Sequence, residues 1–221
     1  MFSNDVGYFY VDGSFLFASI ERVKRAHTEL KDSKLNISEL SGELSQLFNS
    51  NISQSIRVNF YFRKADPRIK TMLTIPSIHN APGHWRIIEC GTNLKGQKIL
   101  PSEVIDTLPA EYRDTFPRAE KGVDMELACD ALLLAAGGKV NSFVFVINDR
   151  DYIPLLQSIQ RLGANTYIAG LDIRQKVQDD LLKFADRYLT LESNLNRIFD
   201  YEPPITDSPE AGTQEAAAST Q

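Results

Sequence analysis

Residues 142–151 read SFVFVINDRD, and this stretch decides the fold. Its first six positions are nearly all apolar, without the polar alternation of a strand that has one wet face. Such a run is buried on both faces, as strands of a parallel sheet are. Just upstream, KGVD at 121–124 opens a helix that runs to about Ala136, where Gly137-Gly138 stops it. Downstream, a helix is expected from Ile153 to Leu162, ended by Gly163, then a strand over 165–169 and a helix over 176–184. Nearer the N-terminus, GYFYV (7–11) reads as a buried strand, broken by Asp12-Gly13-Ser14 and followed by a helix over 15–26. Ser38, Glu39 and the spacing of Leu40, Leu44, Leu47 and Phe48 predict an amphipathic helix capped at Ser38. Further strands are expected at 56–62 (IRVNFYF) and 85–90 (WRIIEC), with loop and short helix over 93–120. Strands alternating with helices imply right-handed βαβ units, and so a three-layer α/β domain with a mainly parallel central sheet.

The chain has 221 residues, room for one domain with a sizeable core, assigned to 1–200. Residues 201–221 are expected to be a disordered tail, because from Pro203 onward the composition is Pro/Ser/Thr/Ala/Gln-rich with no apolar period. The net charge of −5 reads against nucleic acid, but it is unevenly spread. The tail holds Glu202, Asp207, Glu210 and Glu215 and no base, so the remainder carries 24 bases against 25 acids and basic patches are not excluded. Two cysteines outside any CxxC pair make no disulfide framework, and three histidines lack the pairing of a zinc site. No signal peptide is legible at the N-terminus, and the longest apolar runs are too short to span a bilayer. The expected setting is cytoplasmic and reducing, with no membrane partner.

Three acidic positions fall where such folds put chemistry. Asp12 directly follows the first strand, and Asp149 and Asp151 directly follow the strand at 142–147. Open parallel sheets bind ligands beyond the carboxyl ends of their strands, at the switch in strand order. Asp124, at the start of a helix, is placed to reach the same edge. Crowded carboxylates raise one another's pKa, and a divalent cation removes that cost. Acids without His or Cys favour Mg²⁺ or Mn²⁺, whose natural chemistry here is phosphodiester hydrolysis. Each acid also has an ordinary alternative: Asp12 as a turn or N-cap residue, Asp124 as a first-turn acid, Asp149 or Asp151 as the cap of the next helix. Asp130, six residues beyond Asp124 among leucines, reads as a partly buried, hydrogen-bonded acid supporting the site.

VDGSFLF (11–17), KGVDMELACDALLLA (121–135), FVFVINDRDYIPLLQSIQRLGANTYIAG (143–170) and FADRYLTL (184–191) together resemble the NYN domain in its LabA-like branch. The resemblance implies a PIN-like, Rossmann-like fold linked to metal-dependent RNA cleavage. It places metal-binding and catalytic acids at Asp12, Asp124, Asp149 and Asp151. Two positions depart from the family pattern. Phe15 stands where the family has Asn, and Ile147 stands where it has a small hydroxyl residue. Both replacements remove groups that would orient the acids, a function Ser14 is placed to take over in part.

Candidate substrate contacts are Ser14, Lys121 and Arg150, beside the acids in sequence. Arg63 and Lys64, at the end of the second long strand, read more readily as ordinary charges. Tyr152 reads as packing beneath the site rather than as a platform for a base. The expected function is therefore a Mg²⁺- or Mn²⁺-dependent endoribonuclease acting on RNA, with single-stranded DNA as the other substrate candidate and a homo-oligomer or protein partner left open. The alternative is a catalytically weak domain that binds RNA or protein. A phosphatase or phosphotransferase ranks last, because a haloacid-dehalogenase-type site needs a second Asp where Ser14 stands.

Overall fold

The computed structural model describes residues 7–46, 57–76, 84–91, 122–171 and 179–201. Six strands form the main sheet: β1 (Gly7–Asp12), β3 (Arg57–Arg63), β5 (His84–Cys90), β6 (Ser142–Val146), β7 (Asn165–Gly170) and β8 (Arg187–Thr190). All are parallel, in the order β5-β3-β1-β6-β7-β8. A small second sheet pairs β2 (Leu35–Asn36) with β4 (Leu73–Thr74). From β1 the chain steps outward through β3 to β5, then returns to the other side of β1 and builds β6, β7 and β8. The switch in strand order therefore lies between β1 and β6, where their carboxyl ends open a crevice.

Alternation along the strands divides the apolar side chains into two cores. On one face Phe9 and Val11 of β1, Val58, Phe60 and Phe62 of β3, and Val144 and Val146 of β6 pack against helices α1 (Gly13–Ala26) and α2 (Ile37–Gln46). On the other, Tyr10, Tyr61, Phe143, Phe145 and Ile147 pack against α4 (Val123–Ala136) and α5 (Ile153–Arg161). Helix α3 (Arg68–Met72) precedes β4, α6 (Asp179–Leu182) precedes β8, and α7 (Leu195–Ile198) closes the α1 side with Leu195 and Ile198. This is the three-layer α/β architecture expected from the sequence.

Several local expectations change. Helix α1 begins at Gly13 rather than Phe15. Helix α2 is capped by Asn36, whose Oδ1 accepts from the amides of Ser38 (2.9 Å) and Glu39 (3.3 Å), so Ser38 lies inside the helix and is not its cap. Strand β8 and the β2–β4 pair are additions; at two and four residues they are too short to leave a period in sequence. Of the expected tail, Tyr201 packs against the α1-side core, and 202–221 lie outside the described residues, as do 93–120 and Lys121. None of the described helices is long and apolar enough to cross a membrane.

Gly13 joins β1 to α1, and its place in the sequence resembles an ordinary turn glycine. The structure gives a different reason. A Cβ there would lie 2.6 Å from the Tyr61 carbonyl oxygen and 2.2 Å from the Phe62 ring, so β3 passes directly beneath the start of the helix. Gly13→Ala is expected to destabilise the fold by about 2 kcal/mol or more, by forcing backbone apart in a packed core. Thermal unfolding would register this as a lower melting temperature; an unchanged midpoint would mean the close approach is absent in solution.

Candidate active site

Strand β1 alternates so that Asp12 shares its face with Tyr10, the face covered by α4. The Asp12 carboxylate is buried, and its two oxygens do different work. Oδ1 accepts from the amides of Ser14 (2.8 Å) and Phe15 (3.3 Å), capping α1. Oδ2 accepts from the Tyr152 hydroxyl at 3.3 Å. The same hydroxyl lies 3.1 Å from Oδ1 of Asp124, in the first turn of α4. One phenol oxygen thus stands within hydrogen-bond reach of carboxylates from two separate elements. The cap foreseen as the ordinary alternative for Asp12 is real, yet it uses only half of the carboxylate.

The chain between β6 and α5 explains why Tyr152 is there. Oδ1 of Asp149 accepts from the amide of Asp151 at 3.0 Å and caps a single 3₁₀ turn, Arg150–Tyr152. That turn leaves Asp149, Arg150 and Asp151 exposed and drives Tyr152 into the α4-side core, where it is 2% exposed. Burial holds the phenol protonated, its pKa pushed far above the ordinary range, and the charges of Asp12 and Asp124 push it further. Tyr152 is therefore a hydrogen-bond donor at every physiological pH. A buried tyrosine in place of phenylalanine needs a polar partner; in sequence that was the available sign of this role.

The two departures from the resembled pattern find their explanation here. Phe15 is half-buried against the α1-side core, with the Arg22 guanidinium 5.8 Å from its ring, and contributes only its backbone amide to Asp12. Ile147 is fully buried in the α4-side core. Orientation of Asp12 comes from two backbone amides and from Tyr152, so neither missing side-chain hydroxyl or amide leaves it unheld.

Other expected residues are placed as follows. Asp130 accepts from the Tyr61 hydroxyl at 2.7 Å and lies 3.7 Å from the Arg86 guanidinium, partly buried and hydrogen-bonded. Tyr61 is the register partner of Asp12 and stacks on Tyr10 at 6.0 Å, so Asp130 ties α4 to the aromatic floor below the acids. Arg150 turns to Asp180 at 3.3 Å. Arg63 reaches toward buried Asp66 at 3.8 Å, the ordinary pairing foreseen for it. Among the described residues, no group of three or more His, Cys, Asp or Glu stands close enough to hold one ion. Asp12 and Asp124 are the pair brought together on one donor, and Asp149 and Asp151 stand at the rim.

Cys90, at the end of β5, was not foreseen near this site. Its thiol pKa is pushed up to about 11, first by burial and then by the charges of Glu126, Asp130, Asp12 and Asp124. Cys129 is exposed on α4. In chelator at pH 8, a disulfide-exchange reagent is expected to modify Cys129 promptly and Cys90 slowly, because the thiolate is the reactive form. Equal rates for the two thiols would show that the acids do not surround Cys90.

No curated protein and no solved structure matches the chain. Residues 90–192, from the end of β5 through β8, match the family model of the NYN domain. That span holds Asp124, Asp149, Asp151 and Tyr152, while Asp12 lies before it. Together with the parallel six-stranded α/β sheet, which is consistent with a PIN-like fold, the match supports the NYN family and a PIN-like, nuclease-type domain.

Proposed function

We propose that this chain is a Mg²⁺- or Mn²⁺-dependent ribonuclease that hydrolyses RNA phosphodiester bonds at the carboxyl ends of β1 and β6, in the LabA-like branch its motifs resemble. The observation that carries this reading is the convergence of Asp12 and Asp124 on the Tyr152 hydroxyl, at the switch in strand order. Two carboxylates that share one donor repel each other, and a divalent cation relieves that repulsion. The donor set is all oxygen, and Mg²⁺ commonly takes one or two direct carboxylates and fills the rest of its shell with water. Asp12 and Asp124 would hold the ion, with Asp149 and Asp151 at the rim to hold a second ion or position water. A bound divalent cation lowers the pKa of a coordinated water and offsets the charge that develops on the phosphate.

The protein's own residues have separate tasks. Tyr152 fixes the rotamers of both acids and, remaining protonated, adds no negative charge. Ser14, Lys121 and Arg150 would meet phosphate oxygens. Arg150 is held by Asp180 in a largely exposed, solvent-screened pair, so a phosphate competes for it easily.

With a labelled RNA pool and Mn²⁺, the wild-type protein is expected to cleave, chelator to stop cleavage, and Asp149→Asn to slow it by about a hundredfold or more while leaving the melting temperature within a few degrees. Equal cleavage by wild type and Asp149→Asn would remove the catalytic assignment. Specific RNA binding without cleavage would favour the binding-module alternative. Tyr152→Phe keeps the buried ring and deletes the shared donor. It is expected to lower activity by about ten- to a hundredfold, as loss of groups that orient metal ligands does. Unaltered activity in this variant would show that the acids are held without it.

A further inference from the structure

The two ends of the α4-side face differ in a way the acid site does not explain. Toward the carboxyl end, β1, β3 and β6 present Tyr10, Tyr61, Phe145 and Ile147 in a dense core. Toward the amino end, the same face carries Arg57 and Asn59 of β3 and Arg86 of β5, polar groups in a parallel sheet whose covered faces are ordinarily apolar. Here the C-terminal half of α4 and the strands line an open cavity of about 340 Å³, a volume within the range of small-ligand sites.

The walls of this cavity specify their occupant. Arg86 is fixed by its Nε bond to Oδ1 of Asn59 (2.7 Å) and by Asp130 at 3.7 Å. Asp130 accepts from Tyr61 on the same oxygen that lies near Arg86, so the cavity's carboxylate already has donors on Oδ2. Arg57 makes no side-chain hydrogen bond or ion pair among the described residues. Asn59 is 97% buried, and with its oxygen taken by Arg86 its amide NH₂ is the group left for a ligand. Two guanidiniums face one carboxylate here, in a chain of net charge −5. Leu133, 73% exposed, and the half-buried Tyr8 also line the cavity. The site is rich in donors and has apolar walls, so it fits a ligand that brings anionic oxygens, further acceptors and a flat ring.

We propose that this cavity binds a nucleotide, its phosphate at Arg57 and Arg86, its base between Tyr8 and Leu133. The same chemistry comes either from a free mononucleotide or from one unit of an RNA strand. Tyr8 stands four residues before Asp12 on β1, roughly 13 Å along the strand, a few nucleotides from the acids. The proposal does not rest on the nuclease reading, since binding is measured with chelator present and cleavage absent.

The test is calorimetric titration of the full chain in chelator with uridine monophosphate, adenosine monophosphate, uridine, inorganic phosphate and a five-nucleotide RNA. Arg57→Gln and Leu133→Asp change exposed side chains, and circular dichroism confirms that each variant folds. At least one monophosphate or the RNA is expected to bind, with each variant weakening it by roughly tenfold or more. Binding of the monophosphates assigns a free nucleotide; binding of the RNA alone assigns a unit of a strand. Absence of binding by all nucleotides, binding untouched by either variant, or inorganic phosphate binding as tightly as the monophosphates would overturn the proposal. None of these results depends on whether the acids cleave RNA.

Discussion

Everything at the carboxyl edge hangs on one buried hydroxyl between two carboxylates. Tyr152 lies under Asp12 and Asp124, and its oxygen reaches both. A single phenol proton bonds fully to one acceptor at a time, so the two carboxylates share it. Asp12 is 6% exposed, whereas Asp124 stands exposed in the first turn of α4. In the proposed function a divalent cation offsets the repulsion between these two carboxylates. The helix-capping bonds to Oδ1 orient Asp12 while Oδ2 faces the Tyr152 hydroxyl.

The geometry is built by short-range rules acting in series. Asp149 caps one turn, the turn buries Tyr152, and Tyr152 collects the acids. On the other side, Gly13 allows β3 to pass beneath the start of α1, so Asp12 can be both the last residue of a strand and the cap of a helix. The aromatic floor of Tyr10, Tyr61 and Phe145, with ring centroids 5.5–6.0 Å apart, leaves Asp12 little freedom to move downward. Asp149 thus serves structure and, in the proposed function, chemistry, which is why a capping motif and a ligand motif read alike in sequence.

How much of this was legible follows the range of the interactions. The all-apolar run at 142–147, the GYFYV strand and the glycine stop at 137–138 announce themselves through local composition, and all three are present. That Asp12 and Asp149 each follow a strand was legible; that those strands are neighbours came from the structure. Contacts between residues far apart in the chain were not legible. The pairing of Arg150 with Asp180, the burial of Cys90 among acids, and the bond from Tyr61 to Asp130 across 69 positions leave no periodic trace. Asn36 outcompeted Ser38 as the cap because the backbone turned two residues earlier, where β2 pairs with β4. Phe15 and Ile147 looked like losses to the site because their replacements act through backbone amides and a distant tyrosine.

In the proposed function Asp12 and Asp124 would form a divalent-cation site beside the Tyr152 hydroxyl. Anomalous diffraction from crystals of the full chain soaked in Mn²⁺ tests it most directly. The account predicts an anomalous peak flanked by Oδ2 of Asp12 and Oδ1 of Asp124, lost in Asp12→Asn. A map with full Mn²⁺ occupancy elsewhere on the chain, and none between these two oxygens, would contradict it.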